Sequence, residues 1–526
     1  MILNKNINYI KSFWVLNVFT AVVRLFTIGR IGLTGDEAHY WTYFQYPNLS
    51  YYDHPPAIGY IIGIFTSIFG NNEFAVRLPA VLLFFLLCFL VFKLSKSLFD
   101  EKTAFWNIVL LNVIPVFSFI GSVINIPDAP LSVLWMLFII IFYKLIQENK
   151  TVYWYYLGMI LGFGLLCKYN AILLVPSAVL FLILSPKNRH WLFKKEPYIA
   201  SLISLVIFSP VIIWNIQNNW ASFGFQMGHG FGHEAPRLSF ALLGRAIGSQ
   251  AGYISPLLFI LFWVVLIWLC YKFYRERSEK LLLILAFAFP TLVLFNSVAF
   301  FNEILPHWPV MGYLTLSLGT MFFIINYWNK MWFRVFTYSS CSIGIILTIL
   351  VPLQAIFKII CPEILLPKNE AMRLEDGITR AEKIDITNEL YGWHKVGNKI
   401  NEILSESDPS KTFIFTHRHY IASQLSFYVP NNPRIYCFSD RIDAFDFWQK
   451  DINNLEGKDG IFVTNDYFYT DPAKLFVSSF GSWDEPVPVE IYRNNKKIRI
   501  FWITKGKSFK PNMLSKNFTS EILKVK

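Results

Sequence analysis

The chain has 526 residues, 54% of them hydrophobic, 18% aromatic and only 16% charged, with a formal net charge of +12. A soluble globular protein carries roughly a quarter charged residues, so the composition excludes that class and requires a polytopic membrane protein. The positive charge does not point to nucleic acid, because the basic residues fall in short connections between apolar runs.

A membrane span needs about 20 mostly apolar residues. Such runs occur at 12–33, 78–97, 103–122, 130–146, 154–167, 170–185, 198–214, 254–272, 281–300, 308–326 and 335–360, with the fifth and sixth too short to cross without help from neighbours. No small-residue cleavage site follows the first run, which is therefore expected to stay as an anchor. Alternate connections are basic, through Lys93, Lys96 and Lys102, Lys144 and Lys150, Lys187 to Lys195, Lys272 to Lys280, and Lys330 with Arg334. Together with Lys5 and Lys11 they form one cytoplasmic set, which puts the N-terminus inside and, after an odd number of spans, the tail outside.

From about Cys361 the pattern changes. Thr412 to Thr416, Arg434 to Phe438 and Gly460 to Thr464 read as strands, and Tyr420 to Tyr428 as a helix. Val487 to Ile503 reads as a hairpin around Asn494-Asn495. The expected architecture is a helical membrane domain over 1–360, of about eleven spans, followed by an external α/β domain over 361–526. The six cysteines show no metal or disulfide spacing, although Cys361 and Cys437 both lie in the tail, where one disulfide would pair them.

The external connections are 34–77, 123–130, 215–253 and 301–308, and polar and ionisable residues gather in them on one side of the membrane. In the first, Ala57 to Phe69 is apolar but too short to span and is expected to be an interfacial helix. Gly35-Asp36-Glu37 follows the first apolar run directly. Carboxylates where a membrane helix meets water are costly to desolvate and mark a functional site by default; their other reading is a solvated helix end.

Such loops suit a cleft for a lipid-linked substrate. If its head group is a phospho-sugar, a base must take the proton of the attacking hydroxyl and cations or donors must hold the departing phosphate. Asp36 is the first candidate for the base, with partial desolvation to raise its pKa, and Glu37 shares that role or binds the acceptor. Asp128, between Pro127 and Pro130, is either a second acid or the N-cap of the next span. For the phosphate the candidates are Arg24, His54, Lys168 and Arg237. Lys168 either meets an anionic head group or snorkels to the interface, and Arg24, mid-span, needs a carboxylate, a carbonyl or the phosphate as partner. His39, Tyr40, Tyr52, His307 and Trp308 are candidates for binding substrate. His229 and His233, followed by Glu234 and joined by Asp53, are candidate metal ligands, although two glycines between the histidines weaken a helical reading. The chemistry requires no cofactor, and a divalent metal stays open.

The sequences 35–41 (GDEAHYW), 51–56 (YYDHPP) and 69–78 (FGNNEFAVRL) resemble the first external loop of bacterial GT-C glycosyltransferases, relatives of the protein O-mannosyltransferases and of ArnT-type lipid A glycosyltransferases. Pro127-Asp128-Ala129-Pro130, Cys167-Lys168-Tyr169, Pro306-His307-Trp308-Pro309, Leu390 to Trp393 and Ser423 to Tyr428 resemble that group too, in the same order. The resemblance implies a polyprenyl-phosphate sugar donor and inverting transfer to lipid A or lipopolysaccharide core, on the periplasmic face of a bacterial inner membrane. It places the catalytic acid at Asp36 and the second acid at Asp128. His54 departs from the lysine common in ArnT-type members. A protein acceptor is a variant of this expectation. The competing class, a lipid-linked saccharide transporter, calls for ionisable residues at mid-membrane on several helices and for internal repeats. The chain shows no repeat and holds those residues in loops.

Overall fold

The computed structural model describes residues 7–231, 238–360 and 378–514, without the side chains of 229–231. In chain order its helices are α1 (Tyr9–Thr27), α2 (Gly35–Gln45), α3 (Ala57–Phe69), α4 (Glu73–Leu98), α5 (Glu101–Val113), α6 (Asp128–Glu148), α7 (Val152–Cys167), α8 (Leu174–Leu184), α9 (Glu196–Gln217), α10 (Ala221–Phe231), α11 (Phe240–Ile254), α12 (Pro256–Glu276), α13 (Glu279–Val298), α14 (Val310–Tyr327) and α15 (Met331–Phe357). The tail adds α16 (Arg380–Ile384), α17 (Trp393–Ser405), β1 (Thr412–Thr416), α18 (His419–Tyr428), β2 (Ile435–Cys437), β3 (Asp459–Asn465), α19 (Pro472–Leu475), β4 (Ser482–Trp483), β5 (Val487–Arg493) and β6 (Lys496–Lys507). Two compact units result. The first comprises residues up to Ile28, His54–Ile58 and Arg77–Leu350; the second comprises Gly29–Asp53, Gly59–Val76 and the chain from Val351 onward.

The first unit is helical, and the protein is a multi-pass membrane protein. Helices stand at all eleven places where apolar runs predict spans. Among the described residues eight of them, α1, α4, α6, α9 and α12 to α15, are long and apolar enough to cross a bilayer. The third run breaks early: α5 stops at Val113 because Pro115 has no N–H to continue the ladder, and a π-helical turn, Val116–Ile120, carries the chain on toward Asp128. Arg24 holds that turn. Its Nε donates to Ser118 O at 3.2 Å and Ser122 Oγ at 2.7 Å, and its Nη2 donates to Asn112 Oδ1 at 2.9 Å. Glycine sets the closest helix approach, since a Cβ on Gly158 of α7 would lie 2.4 Å from the Ala200 carbonyl oxygen of α9.

The second unit contains the expected tail sheet. The strand order is β2-β1-β3-β6-β4, with β5 also on β6. β1 runs parallel to β2 and β3, and the remaining pairs are antiparallel. Asn494 and Asn495, both at positive φ, close the β5–β6 hairpin, as the type I′ turn requires. Phe413, Phe415, Phe438, Phe462 and Phe480 fill one face. Cys437 is a buried free thiol; Cys361 lies outside the described residues. The two first-loop segments, 29–53 and 59–76, belong to this unit.

Candidate active site

The second unit positions Asp36. Residues 35–45 were not expected to be helical, yet Thr34 starts α2 with a capping box: Glu37 N donates to Thr34 Oγ1 at 3.2 Å, and Thr34 N to Glu37 Oε2 at 3.0 Å. Glu37 is fully buried. Its Oε2 serves the helix start. Asp36, next to it in the first turn, is exposed.

Helix α18 is the bed on which α2 lies. Gln424 Nε2 donates to Leu33 O at 2.8 Å, Tyr428 Oη accepts from Leu33 N at 2.8 Å, and Trp41 meets Phe427 edge to face at 5.1 Å. His39 is the centre of this packing. Its Nδ1 lies 3.0 Å from Ser423 Oγ and its Nε2 3.1 Å from Asp53 Oδ2, while Tyr43 Oη donates to Asp53 Oδ1 at 2.6 Å. His39 has 5% of its surface exposed and both ring nitrogens engaged within this packing. Burial works against the imidazolium, but Asp53, and behind it Asp36 and Asp443, outweigh that cost and raise its pKa above 6.5. Tyr40 is buried beside Tyr43, and half-buried Tyr52 stacks on Phe447. Ser423 and Tyr43 were not foreseen; the Thr34-x-x-Glu37 pattern was the available signal for α2.

The first unit holds a separate cluster. Lys168, at the turn after α7, donates through Nζ to Asp128 Oδ2 at 2.6 Å, and both side chains are less than a tenth exposed. Asp128 is therefore not an N-cap, and α6 has no side-chain cap. Nor does Lys168 snorkel. His307 and His54 both lie within electrostatic reach of this pair. Burial, and then the Lys168 ammonium, push the His307 imidazole down to about 4, so it is neutral at neutral pH. A narrow apolar cleft lined by Phe84, Leu87, Phe117 and Met311 opens beside Asp128 and His307. Trp308 packs on Phe295 at 5.7 Å. Arg24 is engaged by the carbonyl and hydroxyl groups of the π-turn, the carbonyl being one of the partners expected for it.

Among the described residues no three His, Cys, Asp or Glu side chains converge as metal ligands. The His229 side chain, His233, Glu234 and Arg237 lie outside the described residues.

Residues 53–214 match the dolichyl-phosphate-mannose-protein mannosyltransferase family. A lipid A galacturonosyltransferase of Rhizobium johnstonii, RgtD, is 24% identical over 353 residues, which are 64% of this chain and 68% of that protein. The crystal structure of ArnT from Cupriavidus metallidurans bound to undecaprenyl phosphate superposes with a TM-score of 0.60 at 15% identity, over 93% of this chain and 97% of that one. The oligosaccharyltransferase AglB of Archaeoglobus fulgidus, solved with an inhibitory peptide and a dolichol-phosphate, gives 0.51 at 12% identity, over 86% and 69%. The chain thus has the GT-C fold.

Proposed function

We propose that this GT-C-fold chain is an inverting glycosyltransferase that moves a sugar from a polyprenyl-phosphate donor to lipid A or lipopolysaccharide core on the periplasmic face of the inner membrane. The observation that carries it is Asp36, an exposed carboxylate fixed in the first turn of a pinned helix, in a chain similar to a lipid A galacturonosyltransferase. That relative makes a hexuronic acid the preferred donor sugar. The basic connections support an N-terminus in the cytoplasm and the site outside.

In the reaction, an acceptor hydroxyl oxygen attacks the anomeric carbon while Asp36 takes its proton. The bond from that carbon to the phosphate oxygen breaks, and the polyprenyl phosphate leaves with the electron pair. Closure of the site by the two lipid substrates supplies the desolvation that the exposed Asp36 lacks. Lys168 holds the departing phosphate. Its ammonium has three N–H donors, and Asp128 accepts one, which fixes the direction of the others. Neutral His307 adds a donor without adding charge.

Mass spectrometry of lipid A and core from cells with and without the gene tests the reading. A difference of one hexuronic acid on lipid A supports it. Unchanged lipid A and core with a lost protein glycan would move the acceptor to protein, and no change in either would end the proposal.

A further inference from the structure

We propose that the groove between α7, α8 and α9 is a binding site for an anionic phospholipid of the leaflet at that end of the bundle. The groove holds about 230 Å³ and is lined by Trp154, Leu157, Leu161, Ala178, Pro197 and Tyr198 among others, nearly all apolar. Its shape is fixed by Gly158 and Gly162 of α7, which bring α9 close at Ala200 and again at Ser204 and Ile207.

Two features at one end of it ask for a polar, negatively charged partner. Trp154 and Trp191 are 5% and 3% exposed, meet edge to face at 5.8 Å, and their indole N–H groups have no hydrogen-bond partner among the described residues. A buried donor left unmade costs roughly 1–3 kcal/mol, so an acceptor belongs there. The segment 185–195, which carries Trp191 and groove-lining Leu192, contains Lys187, Arg189, Lys194 and Lys195 and no Asp or Glu. Arg189 is used on the Ile183 carbonyl at 2.7 Å. Lys187, Lys194 and Lys195 are exposed, and Phe193, Lys194, Lys195 and Glu196 join the groove residues Leu192 and Pro197, so the lysines outnumber the one carboxylate beside them.

Phe193 and Tyr198, 85% and 67% exposed beside those lysines, place the segment at the lipid–water boundary, where aromatic rings collect. An acyl chain fits the apolar groove, a phosphate and ester oxygens fit the indoles and lysines, and the charges are complementary. A zwitterionic lipid supplies the chain but carries its own cation to the lysines.

The test uses the full chain in nanodiscs of phosphatidylcholine alone or mixed equally with phosphatidylglycerol, followed by native mass spectrometry. Expected is one phosphatidylglycerol retained per chain and no comparable retention of phosphatidylcholine. Lys194→Ala with Lys195→Ala should lower that retention on the order of thirtyfold, at about one kcal/mol for each lysine. Trp154→Phe with Trp191→Phe should lower it on the order of thirtyfold, at about one kcal/mol for each of the two hydrogen bonds. Equal retention of both lipids, or a lysine variant that keeps the wild-type preference, would overturn the proposal, as would a lipid-free dimer. Should the lysine variant fail to fold, the wild-type preference between the two lipids decides alone.

Discussion

Lys168 Nζ and Asp128 Oδ2 lie 2.6 Å apart with less than a tenth of either side chain exposed. Forty residues separate the partners in sequence, so the pair ties the turn after α7 to the start of α6. Removing one partner of a buried pair leaves an uncompensated charge, at a cost of about 3–5 kcal/mol. Lys168→Ala should therefore lose both transfer and thermal stability. The double variant Asp128→Asn with Lys168→Met should recover most of the stability and none of the transfer. Thermal unfolding and a transfer assay on the same preparations separate the two effects, and a double variant that transfers normally would remove the pair from the reaction.

Asp36→Asn should abolish transfer with little change in stability. The side chain is exposed, and surface substitutions shift stability by no more than about 0.5 kcal/mol. Transfer at the wild-type rate in this variant would show that another group is the base.

Glu37 offers the complementary case. In a capping box glutamine serves as well as glutamate, so Glu37→Gln should retain stability and most of the transfer. Glu37→Ala should lose about 1 kcal/mol, with activity reduced through the loosened α2. If Glu37→Gln is inactive while its melting temperature is normal, the negative charge itself is needed.

The two buried histidines predict opposite pH slopes. The His39 pKa is raised by its carboxylates, so its contribution to stability is complete below about 6.5 and is lost as pH rises through the higher folded value. The His307 pKa is lowered to about 4, so its contribution is complete above about 6.5 and fades as pH falls toward 4. Melting curves across pH should show a maximum near the ordinary histidine value of about 6.5, with a decline on either side. Asp53→Asn should flatten the alkaline one, and His307→Asn the acidic one; slopes unchanged by both variants would assign the pH dependence elsewhere.

Much of the fold was legible because periodicity and punctuation are local. Apolar length located all eleven helices, and Asn494-Asn495 located the hairpin. The break after Val113 was legible too in principle, since Pro115 stands in the run; composition alone hid it, because the residues after it stay apolar. The candidate site was legible as a set of residue types and illegible as a set of partners. No spacing rule connects Lys168 to Asp128, or His39 to Ser423, 384 positions away. The Thr34-x-x-Glu37 box is different. It needs four adjacent residues, and it separates the roles of Asp36 and Glu37 without any tertiary information.

In the proposed reaction, the Asp128–Lys168 pair also bears on how the spent carrier would depart. A polyprenyl-phosphate sugar carries one negative charge on its phosphodiester. Once the sugar has moved, the monophosphate left behind approaches two, its second pKa being near 6. A lysine with no carboxylate beside it would grip that more highly charged product harder than the donor, and turnover would stall at release. With Asp128 already cancelling Lys168, the site holds little surplus positive charge with which to retain the monophosphate. Inhibition by added polyprenyl monophosphate should accordingly deepen when Asp128 is replaced by asparagine.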